Sequence, residues 1–193
     1  MGKNLPPREP DSLSGRSTRT RPALPVSHDW RDRLSTELSK ARRLFILGVG
    51  NRRKADDGAG SRCAGLLKLE LRKGALENIQ VLDAGEVPEN ATGLIRRFGP
   101  THVLIVDAAV SGHEPGRVFV VDRRRIPRDD LSTHRIPLIH LVRYLEQSVR
   151  CRVIVVGIEP RVIAWNQPMS PPVKAAAAEL ARVLFRIWAA ASP

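Results

Sequence analysis

Three stretches of the chain, "RLFILGVG", "THVLIVDAAV" and "CRVIVVGIEP", each carry an unbroken apolar run, "LFILGVG", "VLIV" and "VIVVGI". A strand with one face in water alternates apolar and polar residues. A run without alternation belongs to a strand buried on both faces, as in a parallel sheet covered by helices. "NIQVLDAG" and "GRVFVVD" read as two further strands. Helical patterns lie between them. "DDGAGSRCAGLLKLELRKG" places Leu66, Leu67, Leu69 and Leu71 mostly on one side, with Gly74 as its C-cap. "PENATGLIRRFG" is a short helix, "PLIHLVRYLEQS" has Pro137 near its start, and "SPPVKAAAAELARVLFRIWAA" closes the chain. The expected fold is α/β and three-layered: a twisted, mostly parallel five-stranded sheet with helices on both faces.

Residues 1–40 read differently. They are basic and rich in Pro, Ser and Arg, without periodicity. Such a segment buries too little apolar surface to offset its ordering entropy, so a flexible extension is expected. "DWRDRLSTELSKARR", at its end, suits a short amphipathic helix capping a domain that runs over residues 43–193.

Composition narrows the class. The chain has 193 residues, enough for one domain with a sizeable core, and 42% are hydrophobic. No apolar run is long enough to span a membrane and no signal-peptide core stands at the N-terminus, so a cytoplasmic protein without a membrane partner is expected. The two cysteines, Cys63 and Cys151, are far apart and outside any CxxC pattern, which argues against structural zinc and a disulfide. The net charge of +12 raises the question of nucleic acid, but the basic residues are spread and aromatics are only 4%. A nucleic-acid partner is not expected.

The binding crevice of an open α/β sheet lies at the carboxyl ends of its strands. There the sequence places Asn51, Asp56 and Asp57 after the first strand, and Asp83 and Glu86 after the second. Asp107 ends the third, His134 follows the fourth, and Glu159 follows the fifth. Two carboxylates and a histidine suit a divalent transition metal. Each residue also has a structural reading: Asp57 as a charge at a helix start, Asp83 and Asp107 as partners of loop amides, His134 as a surface histidine. Phosphate binding fares worse. "GVGNRRKADDG" is not GxGxxG, because Arg53 stands at the third glycine position, and it is not a P-loop. No GxSxG marks a nucleophile.

Five motifs in order, "LGVGNRRKADDGAG", "LDAGEVPEN", "LIVDAAVSGHEPG", "STHRIPL" and "VVGIEPRVIAWNQPMSPPV", resemble the hydrogenase maturation endopeptidases, in particular the formate hydrogenlyase or hydrogenase 3 type. The resemblance implies a peptidase that removes a C-terminal extension from the precursor of a NiFe-hydrogenase large subunit. Nickel already inserted in that precursor is the recognition element, and the protease has no permanent metal of its own. It implies Asp57, Asp107 and His134 as catalytic and metal-contacting residues, and an aspartic-type or substrate-metal-dependent mechanism. The expected partner is the precursor and the expected state a monomer. The glycines of the first motif are expected to make room for substrate, and Asp56 to cap the following helix. Asp83 and Glu86 are read either as orienting substrate or as capping loops. Ala55 departs from the glycine or other small residue frequent in close relatives. A non-catalytic, nickel-dependent binding protein or chaperone for the precursor is the alternative function.

Overall fold

The computed structural model describes residues 29–72, 78–122 and 138–191. The N-terminal extension before Asp29, the expected C-cap Gly74 and the loop bearing His134 lie outside the described residues. Five strands form one sheet in the order β2-β1-β3-β5-β4. They are β1 (Leu44–Val49), β2 (Ile79–Gly85), β3 (His102–Ala108), β4 (Val118–Val120) and β5 (Arg152–Ile158). β1 pairs in parallel with β2 and β3, and β3 with β5. Only β4 runs antiparallel, closing one edge against β5.

The uninterrupted apolar runs have the expected cause. Within β1, Leu44 and Ile46 face one layer while Phe45, Leu47 and Val49 face the other. The first layer holds α1 (Trp30–Leu38), α2 (Ala59–Leu71) and α5 (Pro171–Ala191). The second holds α3 (Thr92–Phe98) and α4 (Leu138–Tyr144), the latter running into a π-helical turn over Leu145–Val149. The three-layer fold expected from sequence is therefore the one observed.

Helix α1 is part of the packed structure. Asp29 caps it, its Oδ1 accepting the Arg31 N–H at 2.8 Å. Trp30, Leu34 and Leu38, spaced one helical turn apart, are buried in the first layer, each contributing about 2 kcal/mol by burial. Arg31 pairs with Glu179 of α5, and Arg152 of β5 donates to Glu37.

The buried face of α2 differs in part from expectation: Leu67 is buried and Leu66 and Leu71 pack against the core, but Leu69 does not. Leu69 is 53% exposed, and the sheet-facing residues include Ala59, Gly60, Cys63, Ala64 and Leu67. The reason is distance: this helix starts in backbone contact with the sheet. A Cβ on Gly60 would lie 2.0 Å from the Val106 carbonyl oxygen and 2.4 Å from that of Val49. One on Gly48 would lie 2.3 Å from the Gly60 oxygen and 2.6 Å from the Ala64 Cβ. Small residues fit the gap at the start of the helix, and Leu67 fills the space farther along it.

Candidate active site

The chain leaves β1 toward β2 on one side and returns to place β3 on the other. The switch point thus falls between the carboxyl ends of β1 and β3, where an open α/β sheet forms its crevice. Asp57 and Asp107 stand there. Asp107 is the penultimate residue of β3. Asp57 lies in a 3-10 turn, Ala55–Gly58, that packs against β3 before α2 begins. Both carboxylates are only 2% exposed. Asp57 Oδ2 accepts the Asn51 N–H at 2.8 Å, tying the turn to the first loop.

His134 lies outside the described residues. Among the described residues no group of three His, Cys, Asp or Glu side chains is placed to hold a metal ion. Asp57 and Asp107 are thus the two members of the expected set whose positions are described.

The glycines of the first loop do not make room for substrate. The protein fills the space itself. Gly50, at φ +124°, leaves no room for a side chain, since a Cβ there would lie 1.8 Å from the Asp57 carbonyl oxygen. A Cβ on Gly58 would lie 2.8 Å from the Arg52 Cα. These glycines fold the loop down onto the turn that carries Asp57. Ala55 sits at φ +48°, in the left-handed region, which glycine adopts more readily than alanine.

Asp56 does not cap a helix. It is fully buried, and its carboxylate reaches across to the segment after β5. Oδ1 accepts the Ser170 N–H at 2.6 Å. Oδ2 accepts the Arg161 N–H at 2.9 Å, the Val162 N–H at 3.0 Å and the Ser170 hydroxyl at 2.8 Å. In return the Asp56 N–H donates to the Val162 carbonyl at 3.2 Å. Four donors satisfy a carboxylate that burial would otherwise make costly. Glu159, 4% exposed, plays a related part. It accepts from the Ser111 N–H at 2.8 Å and hydroxyl at 2.6 Å, joining the loop after β3 to the end of β5.

Two cations of the basic run in the first loop pair with carboxylates after the second strand. Arg52 lies over Gly65, donates to the Ser61 carbonyl at 2.8 Å and pairs with Asp83 at 2.8 Å. Lys54 pairs with Glu86 at 2.8 Å and lies 4.4 Å from the Trp165 ring centroid. Asp83 and Glu86 are therefore bound to cations of the same chain. Sequence reasoning missed the Asp56 and Glu159 anchors because their partners are mostly backbone amides of distant loops, which leave no residue signature.

The architecture and the motifs converge with comparisons against known proteins. The model of the hydrogenase maturation protease family matches residues 62–187. A putative hydrogenase maturation protease of Methanocaldococcus jannaschii is 30% identical over 161 residues, 81% of this chain and 95% of the relative. The hydrogenase 3 maturation protease of Escherichia coli K12 is 36% identical over 130 residues, 67% of this chain and 80% of the relative. The crystal structure of the NiFe-hydrogenase maturation protease HycI from Thermococcus kodakarensis KOD1 has a TM-score of 0.74 at 29% identity, covering 81% of this chain and 98% of that one. The chain belongs to the hydrogenase maturation protease family. Within it the similarity extends to the hydrogenase 3 type, and the activity is that of a peptidase in hydrogenase maturation. Among the described residues no helix is long and apolar enough to cross a membrane.

Proposed function

We propose that the chain cleaves the C-terminal extension from a NiFe-hydrogenase large-subunit precursor after nickel insertion, and that the substrate's nickel is its recognition element. The observation that carries this reading is the pair of buried carboxylates, Asp57 and Asp107, at the switch point of a fold shared with this family. Carboxylates supply oxygen donors for a metal cation, and their attraction to it is stronger where water is excluded. Asp57, Asp107 and His134 meet the metal in this reading, and an imidazole in the set favours a transition metal over magnesium or calcium. The nickel belongs to the substrate; the protease needs no resident ion. All three residues come from one chain, so a monomer suffices.

Peptide hydrolysis needs a water that loses a proton as it attacks and a carbonyl that is polarised. In this reading a carboxylate of the pair takes the proton and the substrate's metal polarises the carbonyl.

The test is a cleavage assay with the purified precursor, with and without inserted nickel, read by product mass. Loss of a C-terminal peptide from the nickel-loaded form alone is expected. Equal cleavage of both forms removes nickel from the recognition step. Association without cleavage of either form points instead to a nickel-dependent binding role.

A further inference from the structure

Residues 161–170 cross the surface beside the site, and they expose an apolar strip. Val162 is 39% exposed, Ile163 40% and Trp165 56%, whereas Trp30 and Trp188 are only 5% and 4% exposed. The strip is held firmly. Besides the Asp56 clamp, the Asn166 N–H donates to the Arg53 carbonyl at 2.7 Å, and Lys54 lies against the Trp165 ring. Every one of these tethers goes to residues 53–56, the stretch that ends one residue before Asp57. Two exposed cations flank the strip, Arg53 and Arg161, whose guanidinium groups make no ion pair among the described residues.

A large aromatic left in water on a well-anchored loop suits contact with another molecule. We propose that residues 161–170 form the docking arm for the precursor beside the scissile bond, and that Asp56 is the positioning residue holding this arm in register with Asp57. The inference rests on the functional reading above. The occupant is a precursor segment with an apolar side chain against Ile163 and Trp165 and an acidic group near Arg53 and Arg161. Asp56 does not touch the substrate; it acts through the arm.

The experiment is steady-state cleavage of nickel-loaded precursor by the full chain and by Trp165→Ala, Ser170→Ala, Asp56→Asn and the Asp56→Asn/Trp165→Ala double variant. Trp165→Ala is expected to raise KM about tenfold and leave kcat within about twofold. Ser170→Ala, which removes one of the donors to Asp56, raises KM less. Asp56→Asn raises KM at least as much as Trp165→Ala, and the double variant is little worse than Asp56→Asn alone, because both changes remove one contact. If Asp56→Asn does not fold by circular dichroism, Trp165→Ala and Ser170→Ala carry the test. In parallel, acrylamide quenching of tryptophan fluorescence reads Trp165, the most exposed of the three tryptophans. Added precursor protects it in the Asp107→Asn variant, without turnover. Wild-type cleavage with an unchanged KM for Trp165→Ala overturns the docking arm and leaves the functional reading intact. A fall in kcat at constant KM for Asp56→Asn overturns its positioning role. If folded wild-type protein neither binds nor cleaves the precursor, the functional reading falls and takes this inference with it.

Discussion

Gly48 in β1 and Gly60 in α2 meet backbone to backbone, so close that neither position has space for a methyl group. The contact sets the height of α2 above the sheet. It also sets the turn that carries Asp56 and Asp57, since α2 continues directly from that turn. Gly60→Ala is expected to cost ~3 kcal/mol or more, because the clash is with carbonyl oxygens that cannot rotate away. Gly48→Ala meets the Gly60 oxygen at 2.3 Å and the backbone-fixed Ala64 Cβ at 2.6 Å, contacts slightly longer than those at Gly60, and should cost less, roughly 1–3 kcal/mol. Urea denaturation of the two variants gives the order, and a larger loss for Gly48→Ala would contradict it.

Replacing any one of Asp57, Asp107 and His134 is expected to abolish processing. Asp57→Asn and Asp107→Asn keep the shape and remove the charge, so cleavage should fall by at least about a thousandfold while the unfolding midpoint stays within a few degrees. Product mass from nickel-loaded precursor gives the first quantity and thermal unfolding the second. An active Asp107→Asn enzyme would remove that carboxylate from the chemistry.

The two cysteines are expected to be silent. Cys63 is completely buried in α2, and burial pushes its thiol pKa up to about 12. Cys151 is also raised by burial. A thiol reacts as the thiolate, so neither should be alkylated by iodoacetamide in the native protein at pH 7.5, and both should react after unfolding. Peptidase activity should survive the reagent. Inactivation with one-to-one labelling would show a cysteine at the site.

His102 is expected to make stability depend on pH. Burial lowers its pKa below the ordinary value, nearby Arg152 lowers it further, and Glu37 opposes them. The unfolded chain therefore binds the proton more readily. The neutral ring's share of stability is complete above about pH 6.5 and is lost as the pH falls toward the folded-state pKa. His102→Gln should flatten this acid limb. Urea midpoints at pH 7.5 and 5.5 should differ less in the variant than in wild type, and an equal difference would rule out His102 as the source.

Much of this fold was legible because its strands are buried on both faces, and runs such as "LFILGV" and "HVLIVDA" announce that directly. The direction of β4 was not, since an apolar run reads the same either way along the sheet. The inner face of α2 was legible in part: Leu67 is buried and Leu66 and Leu71 pack against the core, but the small residues that its first turn needs, close to the sheet, carry no hydropathy signal. The strand-end positions of Asp57 and Asp107 followed from the alternation of elements. Telling Asp56 from Asp57 did not. Two adjacent aspartates look alike until the chain 114 residues away is brought back to one of them.

Of the four donors to Asp56, three are backbone N–H groups and only the Ser170 hydroxyl belongs to a side chain. Every residue except proline carries an N–H, so the anchor is nearly blind to the side chains it holds. The stretch between its fixed ends can exchange one set of side chains for another while the hinges stay where they are. Evolution, or an engineer, can therefore rewrite this face by substitution alone and leave the rest of the molecule undisturbed.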